Sequence, residues 1–161
     1  MTNGKYIYLQ TFGCQMNVHD SEKMLSILAT HDYRPTDDIH RADIILLNTC
    51  SVRAKPEHKV YSALGRFKKF KEKNHHLIIG VGGCVAQQEG ERLLDRIGHL
   101  DLVFGTHNLH RLPDLIDDIQ ASRRPMCAVE FYDEVRSLDI FPAPSDGEKV
   151  KSYVTIMQGC D

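Results

Sequence analysis

The sequence predicts an α/β fold, a doubly wound and mostly parallel sheet of the flavodoxin/Rossmann kind with helices on both faces. Apolar, β-rich runs alternate with stretches of helical period along the chain. The central runs around Ile44–Leu47 and Leu77–Val81 are apolar throughout, as expected of strands covered on both faces. At 161 residues the chain has the length of one ordinary domain, long enough to bury roughly 70% of the surface its unfolded form exposes.

Residues 5–12 (KYIYLQTF) make the first strand. After a turn at Gly13-Cys14, Asn17 or Asp20 can cap a helix that carries Met24, Leu25 and Leu28 on one face. Residues 33–36 form a short second strand, and residues 43–49 a buried third strand ended by Cys50. Pro56 suits the first turn of a helix over 56–72, where Val60, Leu64 and Phe67 recur at spacings of four and three. Residues 77–81 are the fourth strand, closed by Gly82-Gly83-Cys84. Leu93, Leu94 and Ile97 then mark one helix that stops near Gly98. A short strand at 102–104, a turn over 108–112, a helix opened by Pro113 and a last strand at 126–131 complete the first domain, 1–132. Residues 133–149, with Pro142, Pro144 and Gly147, read as an exposed linker. Residues 150–161 read as the first strand and first cysteine of a second domain that is cut short, in preference to an edge strand of the same sheet.

Composition excludes several classes. Lys plus Arg number 20 and Asp plus Glu 22, a net charge of -2, so the chain is no polybasic nucleic-acid binder and any nucleic-acid contact must be local. The longest apolar runs fall far short of the roughly 18–20 residues of a membrane span. The first residues, MTNGK, lead straight into a strand with no leader-like pattern, so a cytoplasmic location without membrane contact is expected. Five cysteines, an odd number, fit buried thiols or metal ligands in a reducing compartment better than a disulfide framework.

Three of those cysteines form the informative constellation. Cys14, Cys50 and Cys84 are separated by 36 and 34 residues, and each stands where a predicted strand gives way to a loop. In a sheet of order 2-1-3-4-5 the three strands are neighbours, about 4.8 Å apart, and ligands bind beyond their carboxyl ends. Three thiolates can then meet at one centre, with Gly13, Gly82 and Gly83 allowing close approach of the backbone. A structural zinc wants four closed ligands, usually as CxxC pairs, and none is present. A 4Fe-4S cluster on three thiolates leaves one iron open for chemistry. The competing reading of each cysteine is a small buried hydrophobe. That reading is preferred for Cys127, which has no glycine or turn beside it, and no histidine is assigned a role.

The motifs TFGCQMN (residues 11–17), NTCSVR (48–53) and GGC (82–84) resemble the N-terminal domain of radical-SAM methylthiotransferases, and the wording around the first two cysteines resembles the MiaB branch, which modifies tRNA. The resemblance covers the whole chain. It implies that Cys14, Cys50 and Cys84 hold an auxiliary 4Fe-4S cluster. It also implies that Cys160 is the first ligand of a second, radical-SAM 4Fe-4S cluster whose other cysteines are absent here. The implied reaction uses S-adenosyl-L-methionine twice, once to methylate sulfur and once to generate a radical. A methylthio group is thereby placed on carbon 2 of N6-isopentenyladenosine beside the tRNA anticodon. The full-length enzyme is expected to act as a monomer, and this piece alone to be inactive. Alternatives are methylthiolation of a ribosomal protein, or a non-catalytic α/β docking module.

Asn17 and Asn48, each within three residues of a predicted ligand, can donate N–H groups toward the cluster or serve as cap and turn residues. Residues 53–73 carry eight basic and two acidic side chains, a local net charge of +6, which fits either phosphate contact or a solvated helix face. Arg53, three residues after Cys50, can reach substrate or cluster. No residue is assigned as a catalytic acid or base.

Overall fold

The computed structural model describes residues 5–13, 15–49 and 54–129. Its strands are β1 (Lys5–Thr11), β2 (Tyr33–Pro35), β3 (Ile44–Thr49), β4 (Ile78–Gly83), β5 (Leu102–Phe104) and β6 (Met126–Ala128). They form one sheet in the order β2-β1-β3-β4-β5-β6, and every neighbouring pair is parallel. The chain moves outward from β1 to β2, then returns to the other side of β1 with β3, so strand order reverses between β1 and β3. In doubly wound sheets such a reversal is where a crevice opens at the carboxyl ends of the strands. The expected doubly wound α/β fold is the observed one.

Among the described residues five helices cover the sheet: α1 (Gln15–Ala29), α2 (Ala54–Lys73), α3 (Cys84–Glu89), α4 (Glu91–Arg96) and α5 (Leu112–Ser122). Successive side chains of a strand point to opposite faces, and β3 shows the result. Ile44 and Leu46 join Met24, Leu28, Leu115, Ile116 and Ile119 under α1 and α5. Ile45 and Leu47 join Val60, Leu64, Phe67 and Leu93 under α2 and α4. All six residues of β3 and all six of β4 are buried, which is why these two runs lack polar alternation.

At the amino edge of the sheet, Lys71 in the last turn of α2 pairs with Asp101 at 2.6 Å and donates to the carbonyl of Leu77. The same Asp101 oxygen accepts the Ile79 N–H at 3.0 Å. One carboxylate therefore ties α2, β4 and the entry to β5 together. It also fixes the direction of α2, from the carboxyl edge, where β3 ends, to the amino edge, where β4 begins.

Several boundaries differ from expectation. The first helix begins at Gln15, so Asn17 sits inside its first turn and is not its cap. The helix expected after β4 is two helices, because Gly90 takes φ 53 and ψ -129, which no α-helical residue adopts. The turn expected near 108–112 is a 3-10 helix over Thr106–Arg111, and β6 stops at Ala128. The predicted linker and the segment with Cys160 lie outside the described residues, as do Cys14, Cys50 and Arg53. Among the described residues no helix is long and apolar enough to cross a membrane.

Candidate metal centre

Three adjacent strands, β1, β3 and β4, end together at the reversal of strand order. Thr11 is in register with Asn48, and Thr49 with Gly83. Cys50 and Cys84 are the residues that directly follow the Thr49–Gly83 pair, and Cys14 follows β1 by three residues. Of the three predicted ligands the structure describes Cys84 alone, half-buried at the first position of α3. Cys127 lies within the sheet proper, paired with Val103 on β5 and therefore two strands away from β4.

Beneath the strand ends lies a polar bracket. The Asn17 amide donates to Asn48 Oδ1 at 3.1 Å and to the Thr49 carbonyl at 2.9 Å. The Asn48 amide donates back to the Asn17 carbonyl at 2.6 Å and to Ser21 Oγ at 2.9 Å. Ser21 and Thr11 share a hydrogen bond at 2.7 Å, while Thr49 Oγ1 donates to the Gly82 carbonyl at 2.7 Å. Phe12 N–H donates to the Asn48 carbonyl at 2.7 Å. Both asparagine side chains have their two N–H groups engaged within this bracket, so they position the strand ends and the start of α1. Asn17, Asn48 and Thr49 are all buried, where an unmade hydrogen bond costs about 1–3 kcal/mol.

Sequence inspection singled out Asn17 and Asn48 but missed Thr11, Ser21 and Thr49. The signal was present: Asn17 and Ser21 stand four apart, on one helix face, and polar residues interrupt β1 and β3 just where apolar runs end.

Gly83 closes the bracket on the β4 side. Its φ of +92 with ψ -161 is backbone space that only glycine occupies readily. A β-carbon there would fall inside the contact radius of the Thr49 carbonyl oxygen and lie 2.7 Å from Asn48 Oδ1. Gly82 faces the ring of Phe104 in the same way. No side chain of these two residues occupies the edge of the sheet where Cys84 begins its helix.

The described residues suit a group held by thiolates. Those flanking the three cysteines, Phe12, Gly13, Thr49 and Gly83, carry no carboxylate or imidazole that would compete with sulfur. The first turn of α1 is free of acidic residues, and its amino end carries the positive pole of the helix dipole, which favours negative charge nearby. Further along α1, His19 is held below its ordinary pKa by burial and then by Lys23. Asp20 is pushed up to about 6 by burial, against the opposing pull of Lys23. Among the described residues no three His, Cys, Asp or Glu side chains converge as metal ligands.

The profile described as "Uncharacterized protein family UPF0004" matches residues 6–105. Over 161 residues the chain is 57% identical to the tRNA-2-methylthio-N(6)-dimethylallyladenosine synthase of Geobacter metallireducens, and covers 36% of that protein. It is 55% identical over 161 residues to the protein of the same name in Geobacter sulfurreducens, again 36% of its length. The namesake in Syntrophus aciditrophicus is 47% identical over 157 residues, and the match covers 34% of it. The chain thus spans about a third of the length of these curated relatives. With the profile covering most of the chain, and β1 through β5 falling almost wholly inside the matched residues, the chain belongs to the UPF0004 family.

Proposed function

We propose that this chain is the sulfur-handling N-terminal part of an enzyme that methylthiolates carbon 2 of N6-isopentenyladenosine next to the tRNA anticodon. The observation that carries the reading is the common ending of β1, β3 and β4, with Thr49 and Gly83 in register directly before Cys50 and Cys84. The names of the relatives, which specify a methylthio group and a dimethylallyladenosine in tRNA, supply the reaction. Cys14, Cys50 and Cys84 would hold the auxiliary 4Fe-4S cluster, and Cys160 would be the first ligand of a second one. When bound to three thiolates, such a cluster supplies one iron open to an exogenous sulfur ligand.

The chain's own residues act around that centre. Asn17 and Asn48 hold the end of β3, just before Cys50, against the first turn of α1, just after Cys14. Gly82 and Gly83 keep the β4 end clear, and Phe104 seals the sheet beneath Gly82 from water. Arg53 is the candidate for contact with substrate. The same reading takes S-adenosyl-L-methionine as cofactor and tRNA as partner, with a monomeric enzyme in the cytoplasm.

The test is iron and acid-labile sulfide per chain after anaerobic reconstitution. About four irons per chain are expected in the parent and in Cys127→Ala. Each of Cys14→Ala, Cys50→Ala and Cys84→Ala should lose them. Iron that is absent from the parent, or indifferent to these three substitutions, removes the reading.

A further inference from the structure

The outer face of α2 carries a feature that the metal centre does not use. Lys59, Arg66, Lys69 and Lys73, with Ser62 between the first two, recur at alternating spacings of three and four residues, which aligns them in one stripe along the helix. All five are exposed, whereas Val60, Ala63, Leu64 and Phe67 on the other side are buried in the core. At 1.5 Å per residue the stripe is about 21 Å long. None of its positions is acidic, and Glu72 lies about a quarter turn away from it. Among the described residues Lys71 is the cation of this helix that has an ion pair. The four stripe cations have no ion pair or hydrogen bond among the described residues.

We propose that this stripe binds the phosphate backbone of the RNA substrate. The inference rests on the tRNA reading above and extends it to a particular surface. Evenly spaced cations with no acidic interruption match a polyanion that carries one charge per nucleotide. A protein partner would call for an aromatic or aliphatic anchor at the centre of the patch, and the stripe has none. A membrane surface would need an apolar face, and that of α2 is spent inside the core. The direction of the helix adds meaning. It starts at the carboxyl edge, beside the candidate centre, and ends where Lys71 meets Asp101 at the amino edge. An RNA whose reacting base lies at the carboxyl edge can therefore lay its backbone along the outside of α2. Phosphate contacts position a nucleic acid without reading its sequence. The stripe would hold the stem while other parts of the enzyme choose the base.

The probe is an unmodified RNA stem-loop of anticodon type, titrated into the 161-residue chain by fluorescence anisotropy between about 50 and 200 mM salt. The stripe variant combines Lys59→Gln, Arg66→Gln, Lys69→Gln and Lys73→Gln. A control variant removes four exposed cations elsewhere, by Lys5→Gln, Arg34→Gln, Arg92→Gln and Arg124→Gln. Each neutralised phosphate contact contributes about 0.7–0.9 to the slope of log K against log salt, so the stripe variant should lose about 3 from that slope and bind about tenfold or more weakly. The control should change far less, and a stem-loop of unrelated loop sequence should respond in the same way. Equal losses in the two variants, or a parent without salt-dependent RNA binding, overturn the proposal. Far-ultraviolet circular dichroism and iron content on the same preparations separate the possibilities. A folded parent without iron but with a stripe-dependent slope removes the cluster reading and keeps the stripe. Iron retained with an unchanged slope removes the stripe alone.

Discussion

Replacing Gly83 by alanine would put one methyl group where β3 and β4 end side by side. An L-residue at φ +92 and ψ -161 is strained by about 1–3 kcal/mol. The new β-carbon would also press on the Thr49 carbonyl oxygen, lie 2.8 Å from Thr49 N and stand 2.7 Å from the buried Asn48 Oδ1. Two of these neighbours are backbone and the third belongs to a saturated hydrogen-bond bracket, so none can swing aside. Overpacking of this kind costs a further 1–3 kcal/mol or so. The sum, about 2–6 kcal/mol, is a large share of the roughly 5–15 kcal/mol that keeps a domain folded. Urea unfolding followed by circular dichroism reads it directly, with two other glycines as references. At Gly80 the β-carbon would meet only the tip of Leu46 at 2.8 Å, so Gly80→Ala should cost about 1–2 kcal/mol. At Gly65, mid-helix with nothing within 4 Å, alanine should stabilise by about 0.5–1 kcal/mol. Wedging Thr49 from Gly83 also moves the residues that follow them, so any Gly83→Ala chain that still folds should bind less iron. A Gly83→Ala chain that loses under about 1 kcal/mol and reconstitutes like the parent would refute the assigned role of this close approach.

Three further substitutions probe the bracket, the amino-edge clamp and the charge on α1. Asn48→Ala removes partners from the Asn17 amide and Ser21 and leaves a small void, and should lower unfolding free energy by about 2–4 kcal/mol and iron content with it; an unchanged urea midpoint would count against the bracket. Asp101→Ala strands the Ile79 N–H and takes the carboxylate from Lys71, and should cost about 2 kcal/mol without affecting iron stoichiometry in chains that fold. Asp20 is protonated in both states below about pH 3.8, but between there and about 6 the folded chain keeps a proton that the unfolded chain releases, so its contribution to stability falls as pH rises. Asp20→Asn should therefore match the parent near pH 3 and exceed it by up to about 3 kcal/mol at pH 8 in parallel urea titrations, and an Asn chain less stable at pH 8 would reverse that sign.

The sheet was legible because its strongest signals are hydrophobic and local. Runs such as Ile44–Leu47 have no alternative to a strand buried on both faces, and a cysteine or glycine punctuates the end of each central strand. The order of the first five strands followed from the rule for doubly wound sheets, and β6 extends it by one. Helix starts were less legible. Asn17 looks like a cap by residue type, yet it is buried because a partner on β3, 31 residues away, takes its amide. The break at Gly90 was invisible for a related reason, since an isolated glycine inside a helical pattern is compatible with both one helix and two. At the candidate site, spacing located the cysteines at strand ends, but Thr11, Ser21 and Thr49 gain meaning only once β1, β3 and α1 are brought together. The α2 stripe was present in the sequence as a charge excess. Knowing which side of the helix is buried turns that excess into a line.

Asn48 also bears on how β3 finds its place. A one-residue slip of a strand normally turns its apolar side chains out to water, and that penalty guards against misalignment. In β3 the guard is missing, because Ile44, Ile45, Leu46 and Leu47 are interchangeable in apolar character and both faces of the strand are covered. A shifted β3 would bury nearly as much hydrocarbon as the native one. What it could not do is present an amide to Asn17 and Ser21 and a hydroxyl to the Gly82 carbonyl at once. The polar pair Asn48-Thr49 thus acts as a proofreading device: it discriminates among alignments to which oily packing is blind, and only the accepted one sets Thr49 opposite Gly83.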